Sequence, residues 1–431
     1  MGEGAGGGGQ NRNPLLPPPL HPISANLTLD LFRGVLIYLS PKGVTMENLK
    51  WLDEEDDWQV VKSFLPTGWE SKAKEFGALR RCRKFENAEA LLRTFLIHLA
   101  DGCSLRETVV RAERGDIASI SDVALLKRFK ASGEWFRWMA VGVMEGWIEK
   151  QPTALFGREL RVRVIDGSTV QEPGSTGSTW RIHYSIGLPS LQCDEVYVTA
   201  PEVGESFQQF TVHPGDLFLG DRNFGRRADV RHVVQGGGEV LVRINLTNLP
   251  LVDKKGNSFP LLRHLRTLTK TKLGDWDAGV PYGDTLIAGR VCALKKSKEA
   301  AEKARRKALQ ENSRKGAEVK PETLEAAGYT FVFTTLDRRY TPTIVLEAYR
   351  GRWQIEISFK RLKSLIELGH LRKTDLEGAK AWIHGKLLVA FLIEALIVAG
   401  ERFFPWGYPI SQDLPKVPLS LERNVIDASP A

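Results

Sequence analysis

Cysteine is scarce in this chain of 431 residues: there are four, at positions 82, 103, 193 and 292, and no two of them form a CxxC pair. That spacing excludes a cysteine zinc cluster, and scattered thiols point to a reducing, cytosolic compartment. Histidine is equally thin, with eight residues and neither an HExxH pattern nor a histidine triad. Long apolar runs are missing too. The most apolar stretch, LLVAFLIEALIVAG from Leu387, falls short of a span of about 18 residues and carries Glu394, so it reads as a buried helix. The glycines at 236–238 lack the GxxxxGK[ST] order of a nucleotide-binding loop. The opening residues, MGEGAGGGGQNRNPLLPPPLHP, lack the basic-then-apolar order of a signal peptide, and Gly2 has no myristoylation context. No internal repeat is evident.

What is present is an ordinary globular composition, 42% hydrophobic and 26% charged, with a formal net charge of +8. The basic balance suggests a polyanionic partner but says nothing of the fold. Residues 1–27 are rich in Gly and Pro and read as disordered. From 28 to 150 the pattern is helical, as expected of an N-terminal helical domain. Ser104 and Glu107 form a capping-box start, and Ser121 opens a helix over DVALLKRFKASGEWFRWM with Leu125, Leu126 and Phe129 inward. The pair fits either a DNA-binding helix-turn-helix or two packed helices of a bundle.

Strand signals begin at LRVRVIDGSTV, where Leu160, Val162 and Val164 alternate with Arg161 and Arg163 and the strand is expected to end at Asp166-Gly167. Further strands are expected at 194–200, at Leu217–Leu219 before Gly220-Asp221, and at 239–246, 285–294 and 329–336. The basic stretch 295–320 is helix-prone, either solvated or in contact with DNA. This order of elements suggests an α/β layer assembled around an insertion.

The stretch YRGRWQIEISFKRLK, 349–363, places one acid, Glu356, among Arg350, Arg352, Lys360, Arg361 and Lys363. If 341–368 is one helix turning about 100° per residue, Tyr349, Arg352, Glu356 and Lys363 share one stripe, about 21 Å long. Ile355, Phe359, Leu362 and Ile366 form a second, core-facing stripe. An exposed helix with i,i+4 ion pairs such as Glu356–Lys360 is the plain alternative. Asp166 and Asp221 each follow an apolar strand and sit beside a glycine. Converging with Glu356, they would make a hard oxygen site for Mg²⁺ or Mn²⁺, and two such ions suit phosphodiester displacement. The other acids (Asp194, Glu195, Glu202, Glu205, Asp216 and the run Asp53–Asp57) read as solvated. His183 reads as structural or as support for Asp166.

On these residues the chain resembles the IS4-type DDE transposases, whose signature of Tyr, two residues, Arg, three residues, Glu, six residues and Lys is met by Tyr349, Arg352, Glu356 and Lys363. VIDGST and LGDRNF resemble the family's two aspartate strands; Asn223 departs from the glycine many relatives carry there. The resemblance covers roughly residues 100–400. It implies an RNase H-like catalytic core over 151–400, with a β-rich insertion at about 247–328 and a tail over 401–431. It implies Mg²⁺-dependent cutting of double-stranded DNA at element ends and strand transfer to a target, with two metal ions. Asp166, Asp221 and Glu356 would be the metal ligands, and Tyr349, Arg352 and Lys363 would contact phosphates. Trp353 reads as core or as a stacking platform for a displaced base. A homodimer on paired ends, acting in the cytoplasm at the nucleoid, completes the expectation. The rivals are an inactive DNA-binding regulator and a nuclease without strand transfer.

Overall fold

The computed structural model describes residues 56–401, apart from 81–83, 148–153, 156–157 and the single positions 176, 178, 284, 315, 317, 365, 370 and 373. The expected tail at 1–27 lies outside the described residues, as do 28–55 of the expected N-terminal helical domain, Asp53 to Glu55 among them; of the expected tail at 401–431 only Glu401, which ends a helix, is described.

Among the described residues six helices come first: α1 (Asp56–Ser63), α2 (Trp69–Glu75), α3 (Ala88–Leu99), α4 (Leu105–Arg114), α5 (Asp122–Lys130) and α6 (Gly133–Trp147). Their starts follow the caps. Ser104 Oγ accepts the Glu107 amide at 3.2 Å, and Asn87 Oδ1 accepts that of Ala90 at 2.8 Å. The single helix expected over 122–139 is two, because Ala131 and Ser132 break it and Ser132 is buried between the pieces. Leu125 and Phe129 point inward as expected, while Leu126 is only half-buried.

A small hairpin, Ala154–Leu155 with Arg158–Glu159, leads into an eight-stranded sheet. Its strands are β1 (Arg161–Val170), β2 (Trp180–Leu188), β3 (Cys193–Thr199), β4 (Asp216–Gly220), β5 (Glu239–Arg243), β6 (Gly274–Tyr282), β7 (Thr285–Lys295) and β8 (Tyr329–Thr334). The order across the sheet is β3-β2-β1-β4-β5-β8-β7-β6. Strands β1, β4 and β5 run parallel, and every other pairing is antiparallel. Between β4 and β5 lies α7 (Arg227–Gln235). Between β5 and β8 come α8 (Leu261–Arg266), α9 (Lys298–Arg314) and α10 (Pro321–Ala326). The segment expected as an insertion therefore extends the central sheet through β8, which pairs with β5.

Both faces of the sheet are covered. Side chains alternate along a strand, so Val162 and Val164 join one apolar cluster while Ile165 joins the other. The first cluster includes α1–α6 and the C-terminal helices; the second includes α7 and α8. Burial on both faces accounts for the uninterrupted apolar reading of β4.

After β8 the chain forms α11 (Pro342–Arg350), a 3₁₀ turn at Gly351–Trp353, α12 (Gln354–Ser364) and α13 (Leu376–Glu401). The one helix expected over 341–368 is thus interrupted. A 3₁₀ turn advances about 20° more per residue than an α-helix, which rotates Tyr349 relative to the side chains of α12. The apolar stripe holds: Ile355, Phe359, Leu362 and Ile366 are all buried. The run from Leu387 lies within α13; Leu387 to Leu392 and Ala395 are buried as expected, while Ile393, Leu396 and Ile397 are half-buried. Among the described residues no helix is long and apolar enough to cross a membrane.

Candidate functional site

The sheet register decides how Asp166 and Asp221 meet. In the parallel pair, Arg161 lies opposite Asp216 and Val164 opposite Leu219. The pairing ends there; Asp166 and Asp221 each lie two residues beyond the last pair, and the Asp221 charge acts on the Asp166 carboxyl. The two-residue period also puts both on one face. Asp166 follows Val162 and Val164, Asp221 follows Leu217 and Leu219, and all four apolar residues belong to the cluster that includes Ile355 and Phe359 of α12. Both carboxylates therefore stand on the side that α12 covers. Asp166 is not at a strand end, as expected, but mid-strand, because β1 continues to Val170 against β2. What ends beside it is the pairing with β4, and that opens the space.

Asp166 Oδ1 accepts the Gly167 amide at 2.8 Å, and Asp221 Oδ1 accepts the Asn223 amide at 2.6 Å. Burial pushes the Asp166 carboxyl up to about 7. The Gly167 hydrogen bond opposes this, the Asp221 and Glu205 charges reinforce it, and Arg352 offsets part of it. Glu356, in the first turn of α12, turns to Arg352: Nη2 lies 2.6 Å from Glu356 Oε1, and Nη1 of the same guanidinium is 4.0 Å from Asp166 Oδ2. Arg352 thus stands between the first aspartate and the glutamate. Tyr349 is held largely away from water, which raises its phenol pKa; Arg352 and Arg243 oppose that shift and Asp221 adds to it. Lys363, two turns beyond Glu356, is exposed and outside this cluster. Trp353 is 52% exposed, which overturns its assignment to the core.

The surrounding acids divide. Glu202 is exposed as expected. Asp216, read as a solvated turn, is 1% exposed at the start of β4. It accepts Arg161 Nη2 at 2.8 Å and lies 3.5 Å from Arg163 Nη1. Arg163, expected on a wet strand face, is 2% exposed and also bonded to Glu195, Asp194 and the Thr211 carbonyl. A buried guanidinium persists only with its charge and donors matched, and three acids supply that match. Asp194 and Glu195 are therefore structural rather than solvated. His183 sits in β2 opposite Gly167, its Nε2 2.8 Å from Thr199 Oγ1, and burial lowers its pKa to about 4. Glu205, also read as solvated, is bonded to Asn223 Nδ2 at 3.1 Å.

Asp166 and Asp221 suit a divalent cation. They are paired hard oxygen donors, and Asp166 is half-buried beside like charges with Arg352, a cation, 4.0 Å away. As arranged, no group of three His, Cys, Asp or Glu among the described residues is placed to hold a metal ion. The structure joins the two aspartates and leaves Glu356 with Arg352.

Residues 200–392 match the family described as Transposase DDE domain, a range that includes Asp221 and Glu356 but starts beyond Asp166. InsL of insertion sequence element IS186A from Escherichia coli (strain K12) is 33% identical over 359 residues, which is 81% of this chain and 96% of that protein. The transposase for insertion sequence element IS421 of Escherichia coli is 33% identical over 360 residues, with the same coverage. The transposase for IS231F of Bacillus thuringiensis subsp. israelensis is 24% identical over 393 residues, 80% of each chain. Among solved structures, the piggyBac transposase synaptic complex with hairpin DNA aligns with a TM-score of 0.38 and 8% identity, over 88% of this chain and 73% of that one. With a third of the aligned residues identical across nearly the full length of two insertion-sequence transposases, the chain belongs to the IS4-type DDE transposases and is a DNA transposase.

Proposed function

We propose that Asp166, Asp221 and Glu356 form the metal-binding set with which this transposase cuts DNA at element ends and joins the cut end to a target. The observation that carries this is the β1–β4 pairing, which ends at Val164 and Leu219, two residues before Asp166 and Asp221, with Arg352 4.0 Å from Asp166 and 2.6 Å from Glu356. The spatial order β3-β2-β1-β4-β5, with β1, β4 and β5 parallel, supports an RNase H-like core over 151–400. Bound Mg²⁺ or Mn²⁺, as two ions, would supply Lewis-acid stabilisation of the attacking and leaving oxygens. Asp166 and Asp221 hold the site open with their backbone-fixed Oδ1 atoms. Glu356, paired with Arg352 in the first turn of α12, would be the third carboxylate to hold the metal. Arg352, Tyr349 and Lys363 bind phosphates beside the cut. The N-terminal segment 28–150, through helices α1–α6, binds element-end DNA, and a homodimer at the nucleoid synchronises two ends.

Glu356→Gln should retain binding to a duplex carrying an element end yet lower Mg²⁺-dependent nicking by more than about 100-fold, beyond the loss usual for outer-shell changes. Unchanged nicking by this variant would remove Glu356 from the mechanism. A pre-cut end that fails to join target DNA in the wild type would leave cutting alone.

A further inference from the structure

Glu205 lies outside the proposed metal set, yet it is tied to the second aspartate through one intermediary. Its chain segment is pinned on the far side of the sheet. Asp229, fully buried in α7, accepts Ser206 Oγ and the Phe207 amide, the latter at 2.9 Å. Phe207 stacks on Phe224, with ring centroids 4.8 Å apart, just past Asp221. From this anchored base Glu205 Oε2 accepts Asn223 Nδ2 at 3.1 Å, while the Asn223 amide donates to Asp221 Oδ1 at 2.6 Å. Arg181 Nη1 lies 3.8 Å from the other Glu205 oxygen. The approach depends on Gly167, the residue after the first aspartate: a Cβ there would stand 2.6 Å from Glu205 Cγ and 2.7 Å from Oε1. The 205–207 segment thus grips the 221–224 turn at two points, an aromatic stack and a side-chain hydrogen bond. Because Asp221 Oδ1 is fixed by the Asn223 amide, the stance of Asn223 sets the orientation of that carboxylate.

We propose that Glu205 is a positioning residue for the cleavage reaction, holding Asn223 so that the Asp221 carboxylate faces Asp166 in the orientation the divalent cation requires. This rests on the assignment of Asp221 to the metal set. Outer-shell partners of metal ligands typically control affinity or rate by about 10–100-fold.

The test uses the full chain, a duplex bearing an end of its own element, and titration with Mg²⁺. Glu205→Ala should raise the half-saturating Mg²⁺ concentration about tenfold or more, within the outer-shell range, with end binding unchanged. Glu205→Gln, whose amide oxygen still accepts from Asn223, should recover most of that loss. Asn223→Ala should match Glu205→Ala, and the double variant should be no worse than either alone. A wild-type Mg²⁺ titration for Glu205→Ala, or additive losses in the double variant, overturns the proposal. Should Glu205→Ala fail to fold, the Asn223→Ala titration decides alone, since that exposed side chain can be removed without disturbing the Asp229 anchor. Asp221→Asn is the control: if it nicks like wild type, the metal-set assignment fails, whereas an inactive Asp221→Asn beside an unaffected Glu205→Ala rejects the role of Glu205 only.

Discussion

At the residue scale the central fact is a buried carboxylate short of compensation. Asp166 has its pKa raised from the ordinary carboxylate value to about 7, first by burial. Linkage sets the sign. In the metal-free protein the neutral acid is favoured on folding, so the cost of the charged form is absent below about pH 4, grows as pH rises, and is complete above about 7. Asp166→Asn should therefore raise the metal-free Tm at pH 8 and leave it unchanged near pH 4, and Mg²⁺ at pH 8 should stabilise only the wild type. Calorimetry with equal Tm values at pH 8 would contradict this. Of the two readings of Trp353, the structure overturns the core one. Its indole is half exposed on the 3₁₀ turn, so Trp353→Ala should shift stability by no more than about 0.5 kcal/mol in denaturant melts. Lys363 is exposed on α12, where a phosphate contact would make Lys363→Ala reduce the salt slope of DNA binding by about one.

At the scale of elements, α12 acts as the arm that carries Glu356 over the aspartates. Its hold is the Ile355, Phe359 and Leu362 stripe, with Phe359 5.7 Å from the Tyr184 ring of β2. Phe359→Ala should cost about 3 kcal/mol of stability or more and lower nicking further than it lowers end binding, as unfolding and gel-shift measurements would read. That stripe was legible from periodicity because burial enforces it. The break at Gly351–Trp353 was not, since nothing in the local pattern distinguishes a 3₁₀ turn from a helical one. Strands β2 and β6 carried weak signals. The first is buried on both faces yet holds His183, Tyr184 and Ser185; the second, at the sheet edge, tolerates Asp275, Gly279 and Pro281. Arg163 looked like the wet half of an alternating strand, because the three acids that neutralise it come from β3 and β4 and are distant in sequence.

At the scale of the whole molecule, the N-terminal helices and the sheet share one core. His384 of α13 bonds the Gly133 carbonyl of α6 at 3.1 Å, and Trp382 meets the His98 ring of α3 at 5.4 Å. Gly385 lies so close to α3 that a Cβ would stand 2.6 Å from Leu99 Cδ1. A chain truncated to begin at 151 would expose Trp382, Leu388 and Phe391, all fully buried. Such a fragment should aggregate or lose cooperative unfolding, which size-exclusion chromatography and thermal melts would show; a soluble, cooperative fragment would contradict the shared core.

The sequence by itself determined the chemistry on offer: two aspartates after apolar strands, one glutamate at fixed spacing among cations on a helix, and a basic surface for a polyanion. Local periodicity and short motifs encode these, so they survive without long-range information. Only the tertiary structure decided that Asp166 and Asp221 face each other, that Arg352 holds Glu356 beside them, and that Glu205 and Asp216 leave the solvent for opposite tasks. Apart from the i,i+4 pair of Arg352 with Glu356, those outcomes depend on strand register and on partners tens of residues away, and neither leaves a trace in any short window of the chain.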